Sequence, residues 1–131
     1  MKVLNIVKYY YPSVGGMETY VRQLCSGIPK HGIEPSILTL NHIARIKTAW
    51  ERVDEIPVRR VACQFRLFSQ PVSLSFGAEM RYLISETNLV HLHYPFPNAE
   101  MLYIFPSRKA LLIFSSFKLR VYFKLTLEIV F

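Results

Sequence analysis

Apolar residues gather first at Val3, Leu4, Ile6 and Val7, a compact run that predicts a buried strand over residues 2–7. The period then changes. Met17, Tyr20, Val21, Leu24, Cys25 and Ile28 follow the i, i+3, i+4, i+7 spacing of one helical face, so a helix is predicted over 17–28. Pro29 removes a backbone donor in its last turn, and Gly32 suits the stop. Residues 35–40 read as a second strand. Strand, helix and strand of these lengths make a βαβ unit, whose two strands should run parallel. Strand one is expected at the centre of the sheet, with Gly15-Gly16 opening the helix at its carboxyl edge.

The pattern weakens over 43–53, where Ile43, Ile46, Ala49, Trp50 and Val53 hint at a short helix. Val58 and Val61 flank Arg59-Arg60, and 56–63 reads as strand three. Residues 65–75, with Pro71 inside, read as loop, and Phe76, Met80, Leu83 and Ile84 predict a helix ending near Thr87. Leu89 to His93 form a fourth strand that Pro95 and Pro97 terminate. Asn98 is a suitable N-cap for a helix over 99–105, and 109–114 reads as a further strand.

A chain of 131 residues with 51% hydrophobic and 19% charged residues is expected to fold as one domain and is not disordered in character. No apolar run approaches the ~20 residues of a membrane-spanning helix, and the amino terminus does not read as a signal peptide. Cys25 and Cys63 are far apart and form no C-x-x-C pair, which suits reduced thiols in a cytosolic protein. The net charge of +7 suits phosphate, nucleic acid or anionic lipid. Its arginines are scattered, however, without interleaved aromatics, so a solvated basic surface is the simpler reading.

The candidate chemistry sits between strand one and helix one. Two glycines at this turn permit φ > 0 and close approach of a ligand to bare backbone. The free N–H groups and positive dipole end of the helix favour an anion, usually a phosphate. Glu18 falls in the first helical turn, where a carboxylate is favourable in its own right. Tyr9, Tyr10 and Tyr11 suit either stacking on a sugar or packing over the sheet edge. His91 and His93 are two apart and share a face. An HxH pair is compatible with zinc, but no third ligand has suitable spacing. His93 sits at the carboxyl end of its strand, where open α/β sheets bind ligands, so His93 and the adjoining Tyr94 are candidates to line a substrate.

Pro12-Ser13-Val14-Gly15-Gly16-Met17-Glu18 after a strand, the helix with Val21 and Leu24, and His31-Gly32-Ile33-Glu34 before strand two resemble the start of GT-B retaining glycosyltransferases of the large family 4 type. His91-Leu92-His93-Tyr94-Pro95 resembles the second signature of that family. The resemblance implies an α/β fold, a Rossmann-like parallel sheet flanked by helices, forming the acceptor-side half of a GT-B enzyme. It implies a second Rossmann-like domain that grips the nucleotide sugar, with Gly15 and Gly16 contacting the donor diphosphate and Tyr11, Glu18, His93 and Tyr94 near the substrates. It implies neither metal nor other cofactor. The implied partners are a nucleotide-sugar donor and a glycan or lipid-linked acceptor, with peripheral contact at the inner face of the membrane and no specific nucleic acid.

The chain also departs from that family. After Lys109 to Ile113 the family pattern has a histidine, where this chain reads Phe114-Ser115-Ser116-Phe117. From Phe117 to Phe131 the apolar residues alternate with period two and no glycine or proline intervenes. Residues 1–114 are therefore expected to be the glycosyltransferase domain. Residues 115–131 are expected to be an atypical tail arising from a frameshift near Ile113, and the chain a fragment inactive alone. Two other readings remain open. A dinucleotide-binding oxidoreductase lacks support, because Gly15-Gly16 does not complete G-x-G-x-x-G and strand two ends in Leu40-Asn41 without an acid for the ribose. A non-catalytic module for nucleic acid or anionic lipid rests on charge alone.

Overall fold

The computed structural model describes residues 1–42, 46–68, 70–94, 96, 98 and 111–116, with Tyr94 and 111–116 described by backbone alone. Its centre is β1 (Lys2–Ile6), whose last four residues are all buried. Helix α1 (Gly16–Gly27) follows, then a single 3-10 turn at Pro29–His31 closed by Gly32 in the left-handed region at φ 75°. Strand β2 (Glu34–Leu40) returns parallel to β1, pairing Lys2 with Glu34 and Ile6 with Leu38. The expected βαβ unit is therefore present.

The next segment departs from the sequence reading. Residues 49–53 form strand β3 (Ala49–Val53), not the last turns of a helix. Strand β3 pairs antiparallel with β4 (Ile56–Val61) through a two-residue turn, in which Asp54 and Glu55 both take positive φ, 50° and 66°. That combination fits a twisted two-residue hairpin. Over 49–53 the weak helical spacing gave way to cross-strand pairing, with Trp50 opposite Arg59 and Val53 opposite Ile56; residues 43–45 of the expected helix lie outside the described residues. Residues 65–75 are likewise not simply loop. They carry a small separate hairpin, β5 (Phe65–Leu67) with β6 (Gln70–Val72), and Pro71 is accommodated in its two-stranded sheet.

Helix α2 (Phe76–Ser85), β7 (Leu89–Tyr94) and β8 (Leu111–Ser116) complete the description. The main sheet has the order β3-β4-β2-β1-β7-β8, parallel throughout except for the antiparallel edge strand β3. Strand β1 is thus internal, as expected. The helix expected over 99–105 and the tail over 117–131 lie outside the described residues.

Alternation along the strands sends side chains to two faces. On one face Leu4, Ile6, Leu38, Leu40, Val61, Val90 and Leu92 pack under Phe76, Met80, Leu83 and Ile84 of α2. On the other, Val7, Tyr10, Ile37, Ile56 and Val58 pack against Val21 and Cys25 of α1. A helix on each face of a mostly parallel sheet is the Rossmann-like arrangement. Only Val21 and Cys25 of α1 are fully buried, so the helix rests on the sheet along a narrow stripe. Burial pushes the Cys25 thiol up to about 12, so it is a packing residue and not a nucleophile.

Candidate functional site at the carboxyl edge of the sheet

The β1–α1 connection crosses the carboxyl edge of the sheet and carries Tyr11 and Gly15, and α1 opens with Gly16 and, in its first turn, Glu18. Gly15 caps α1 with φ −160° and ψ 177°. That is ordinary extended backbone, so this glycine is not needed for positive φ, contrary to one of the sequence arguments. What it supplies is space. A Cβ at Gly15 would lie 2.3 Å from Glu18 Oε2. The Glu18 carboxylate therefore folds back over the bare glycine, at the positive end of the helix. No side chain caps the helix by a hydrogen bond.

The loop is held from below. Arg60, on β4, is only 3% exposed; its Nε donates to Glu51 of β3 and its Nη2 to the Tyr11 carbonyl. Arg60 Nη1 is buried without a partner among the described residues. Strand alternation explains the position. Ile56, Val58 and Arg60 share the face that meets α1, so the charged residue inherits a buried direction at the end of an apolar row. A second tie lies on the surface. The Arg22 guanidinium sits 4.2 Å from the Tyr11 ring centroid and pairs with Asp54 at 2.6 Å. That contact holds the Asp54 carboxyl below its usual range, chiefly through the hydrogen bond from Arg22.

Further groups gather beside the loop. Burial, then Arg66, lower the Lys8 ammonium, while Glu18 opposes them. Burial and Arg60 lower the His42 imidazole, with Glu51 and Glu18 acting in the other direction. Tyr11, Ser13, Val14, Glu18, Thr19 and Arg22 border a depression of about 560 Å3 over the start of α1. A larger depression of about 720 Å3 lies at the opposite edge, beside Lys2, Glu34, Arg52 and Glu86. Open parallel sheets bind ligands at their carboxyl ends, so the smaller one is the candidate site.

His93 is close to this region but beneath it. Its side chain is buried, and His93 Nε2 donates to Asn5 Oδ1 at 3.2 Å across β7 and β1. The acceptor is a carbonyl oxygen, so Nε2 carries the proton. The His91 ring lies 4.1 Å away on the same face, as their spacing predicts. Tyr20 of α1 closes over His93 edge-on at 6.0 Å. Burial, with a smaller contribution from His91, pushes the His93 imidazole down to about 3. It is therefore neutral at ordinary pH, and it does not border the depression that Tyr11 and Glu18 line. Tyr94 ends β7 beside Ser116 of β8. Among the described residues no group of three or more His, Cys, Asp or Glu side chains comes together for a metal.

Sequence reasoning missed Lys8, Arg60 and Arg22. Arg60 was open to discovery, since period two from Ile56 and Val58 aims it inward. Arg22 and Lys8 carried no such signal, because their contacts join segments distant in sequence.

A model of Glycosyltransferase Family 4 matches residues 14–115, which include the Gly15-Gly16 loop, both helices and β7. The chain belongs to Glycosyltransferase Family 4. Among its relatives, the O-antigen chain mannosyltransferase C of Escherichia coli is 28% identical over 106 residues, covering 79% of this chain and 28% of that protein. The D-rhamnosyltransferase WbpZ of Pseudomonas aeruginosa is 29% identical over 109 residues, covering 79% of this chain and 27% of its own length. The family 4 chain thus spans a little over a quarter of these curated relatives. A sucrose-phosphate synthase from Thermosynechococcus elongatus shares the fold, with a TM-score of 0.61 at 13% identity over 86% of this chain and 32% of that one. The family 4 chain also lacks the acid expected of an NAD site. Asn41, just after β2, donates to the Lys47 carbonyl at 2.7 Å instead.

Proposed function

We propose that the chain is the acceptor-side domain of an enzyme that moves a hexosyl or deoxyhexosyl unit from a nucleotide-sugar donor to a glycan or lipid-linked acceptor. The mannosyl- and rhamnosyltransferase names of its relatives support this class of sugar. The observation that carries the reading is the bare Gly15 at the amino end of α1, set at the carboxyl edge of β1 in a family 4 chain. Backbone N–H groups of Gly16, Met17 and Glu18 are the donors for the donor diphosphate. They oppose the negative charge that grows on the leaving phosphate as the glycosidic bond breaks. Glu18 occupies that end of the helix in the free protein and swings aside for the diphosphate. Tyr11 borders the substrate, and His93 and Tyr94 support the floor of the site from β7. Neither metal nor cofactor enters this scheme. The enzyme works at the cytoplasmic face of a membrane in peripheral contact with it. No helix among the described residues is long and apolar enough to cross one.

An amide titration tests the phosphate assignment directly. Inorganic pyrophosphate added to the labelled chain should shift the Gly16, Met17 and Glu18 resonances most. Shifts confined to the depression at the opposite edge of the sheet, around Lys2 and Arg52, would place the anion elsewhere.

A further inference from the structure

Beside the amino end of α1, positive charge collects without the acid to balance it. Lys8 follows β1 at the carboxyl edge, two residues beyond Ile6. Its carbonyl is pinned by the Thr39 hydroxyl at 3.1 Å and the Leu40 N–H at 3.3 Å. Its side chain is held as well. Nζ donates to Gln70 Oε1 at 2.6 Å and lies 5.4 Å from the Tyr9 ring centroid. The Tyr9 ring in turn meets His42 edge-on at 5.7 Å. Ammonium, aromatic ring and imidazole therefore form a row along the edge.

This row lacks a counter-charge. Arg22, Arg59 and Arg60 pair with Asp54, Glu79 and Glu51, but Lys8 and Arg66 enter no ion pair among the described residues. Between Glu55 and Glu79 the sequence holds no acidic residue to supply one. The partner that Lys8 does have, Gln70, is a neutral amide, and Arg66 adds a like charge nearby. A partly buried cation in such a setting carries a desolvation cost that an amide does not offset. His42 Nδ1 is also buried without a hydrogen-bond partner among the described residues. One carboxylate acts electrostatically on both Lys8 and His42, and it is Glu18, the group folded over Gly15. Glu51, which also acts on His42, is taken by Arg60.

We propose that Lys8, supported by Arg66 and with His42 at the far end of the row, forms a second phosphate subsite beside the amino end of α1, taking one phosphate of a diphosphate ester. This rests on the reading that the Gly16, Met17 and Glu18 amides receive a phosphate, and it names the side chains that hold the neighbouring one. Glu18 stands in for that anion in the free protein. Once it swings aside, Lys8 and His42 lose their carboxylate together, and a phosphate replaces it with more charge. An ammonium has three donors, of which Gln70 takes one, so two remain for phosphate oxygens. Two molecules bring such a group to this edge, the lipid-linked acceptor and the nucleotide-sugar donor.

The test is amide titration of labelled residues 1–131 with inorganic pyrophosphate, with geranyl diphosphate for the acceptor and with guanosine diphosphate for the donor. Lys8→Gln should lower affinity about five- to tenfold and flatten its salt dependence, as loss of a charge-assisted contact does. Lys8→Arg should restore it to within about twofold, and Arg66→Gln should lower it about two- to threefold. Lys30→Gln, on the exposed 3-10 turn beyond the other end of α1, removes the same charge and should change affinity by less than about twofold. Melting temperatures check that each variant is folded. Loss confined to geranyl diphosphate assigns the subsite to the acceptor, loss confined to guanosine diphosphate assigns it to the donor, and loss with both assigns it to either phosphate. Unchanged affinity of Lys8→Gln for all three probes, with Gly16, Met17 and Glu18 still shifting, would overturn the subsite and leave the helix-end reading standing. An equal loss in Lys30→Gln would reduce the effect to net charge and overturn it too. A wild type whose Gly16, Met17 and Glu18 amides never shift would overturn the helix-end reading and the subsite beside it.

Discussion

Gly15 and Glu18 act as a pair, and the geometry separates their roles. A methyl group at Gly15 meets Glu18 Oε2 at 2.3 Å, a contact that the flexible end of a glutamate relieves by moving. Gly15→Ala should therefore fold normally, since its φ of −160° suits any residue. In an intact enzyme carrying this segment it should lower kcat by about 10- to 100-fold, with acceptor KM little changed, because the loop is proposed to serve charge present mainly in the transition state. Steady-state kinetics with varied acceptor decide this; a raised KM at constant kcat would contradict it. Glu18→Gln removes a negative charge from the same helix end. Pyrophosphate affinity, read by titration, should rise a few-fold at low salt. His93 makes a different prediction. Its folded imidazole is pushed from 6.5 down to about 3, so the unfolded chain binds the extra proton first. Stability from this residue is complete above pH ~6.5 and is lost as pH falls towards 3, by up to about 1.4 kcal/mol per pH unit. His93→Gln should flatten urea-midpoint curves over that interval. An unchanged acid slope would mean that other groups set it.

Between elements, Arg60 is the connection to perturb. It joins β4, β3 and the β1–α1 loop through Glu51 and the Tyr11 carbonyl. Arg60→Met keeps the buried stem but removes both donors. The cost should be about 1.5–3 kcal/mol, the range for hydrogen bonds to a charged group, since the half-exposed Glu51 is left in contact with water. Amide exchange at residues 13–18 should rise more than in β1 and β2. Uniform acceleration across the sheet would show that Arg60 supports the core and not the loop. The same scale shows what the sequence could reveal. β1, α1, β2, α2 and β7 announce themselves because each buries a face of one clear period. Strand β4 was legible too, inside the strand read over 56–63; β3 and the β5–β6 hairpin were not, since β3 and β5 are largely exposed and their register comes from partners already in place. At the site, Gly15-Gly16 was legible from its strand-to-helix setting, and His91 with His93 from alternation. The burial of His93 under Tyr20 was not, because it depends on how α1 lies across β7.

At the scale of the whole molecule, the described site is one wall. It consists of a loop, a helix end and the tips of parallel strands, all from one Rossmann-like unit that covers 32% of its structural neighbour. An exposed helix end contributes about 1 kcal/mol towards a phosphate. Micromolar affinity for a nucleotide sugar requires about 8 kcal/mol. The remainder must come from groups that recognise the base, the ribose and the second phosphate, and the described edge displays no such set. Residues 1–131 alone should therefore bind a nucleotide diphosphate more weakly than millimolar and transfer no sugar. Isothermal titration with nucleoside diphosphates and a radiolabelled-donor assay with mannose and rhamnose nucleotides measure both quantities. Transfer by the purified monomer would refute the division of labour proposed for the donor. Transfer that appears only when a donor-binding domain from a family 4 relative is supplied would support it, and should fall with Gly15→Ala in that mixture by the same factor as in the intact enzyme.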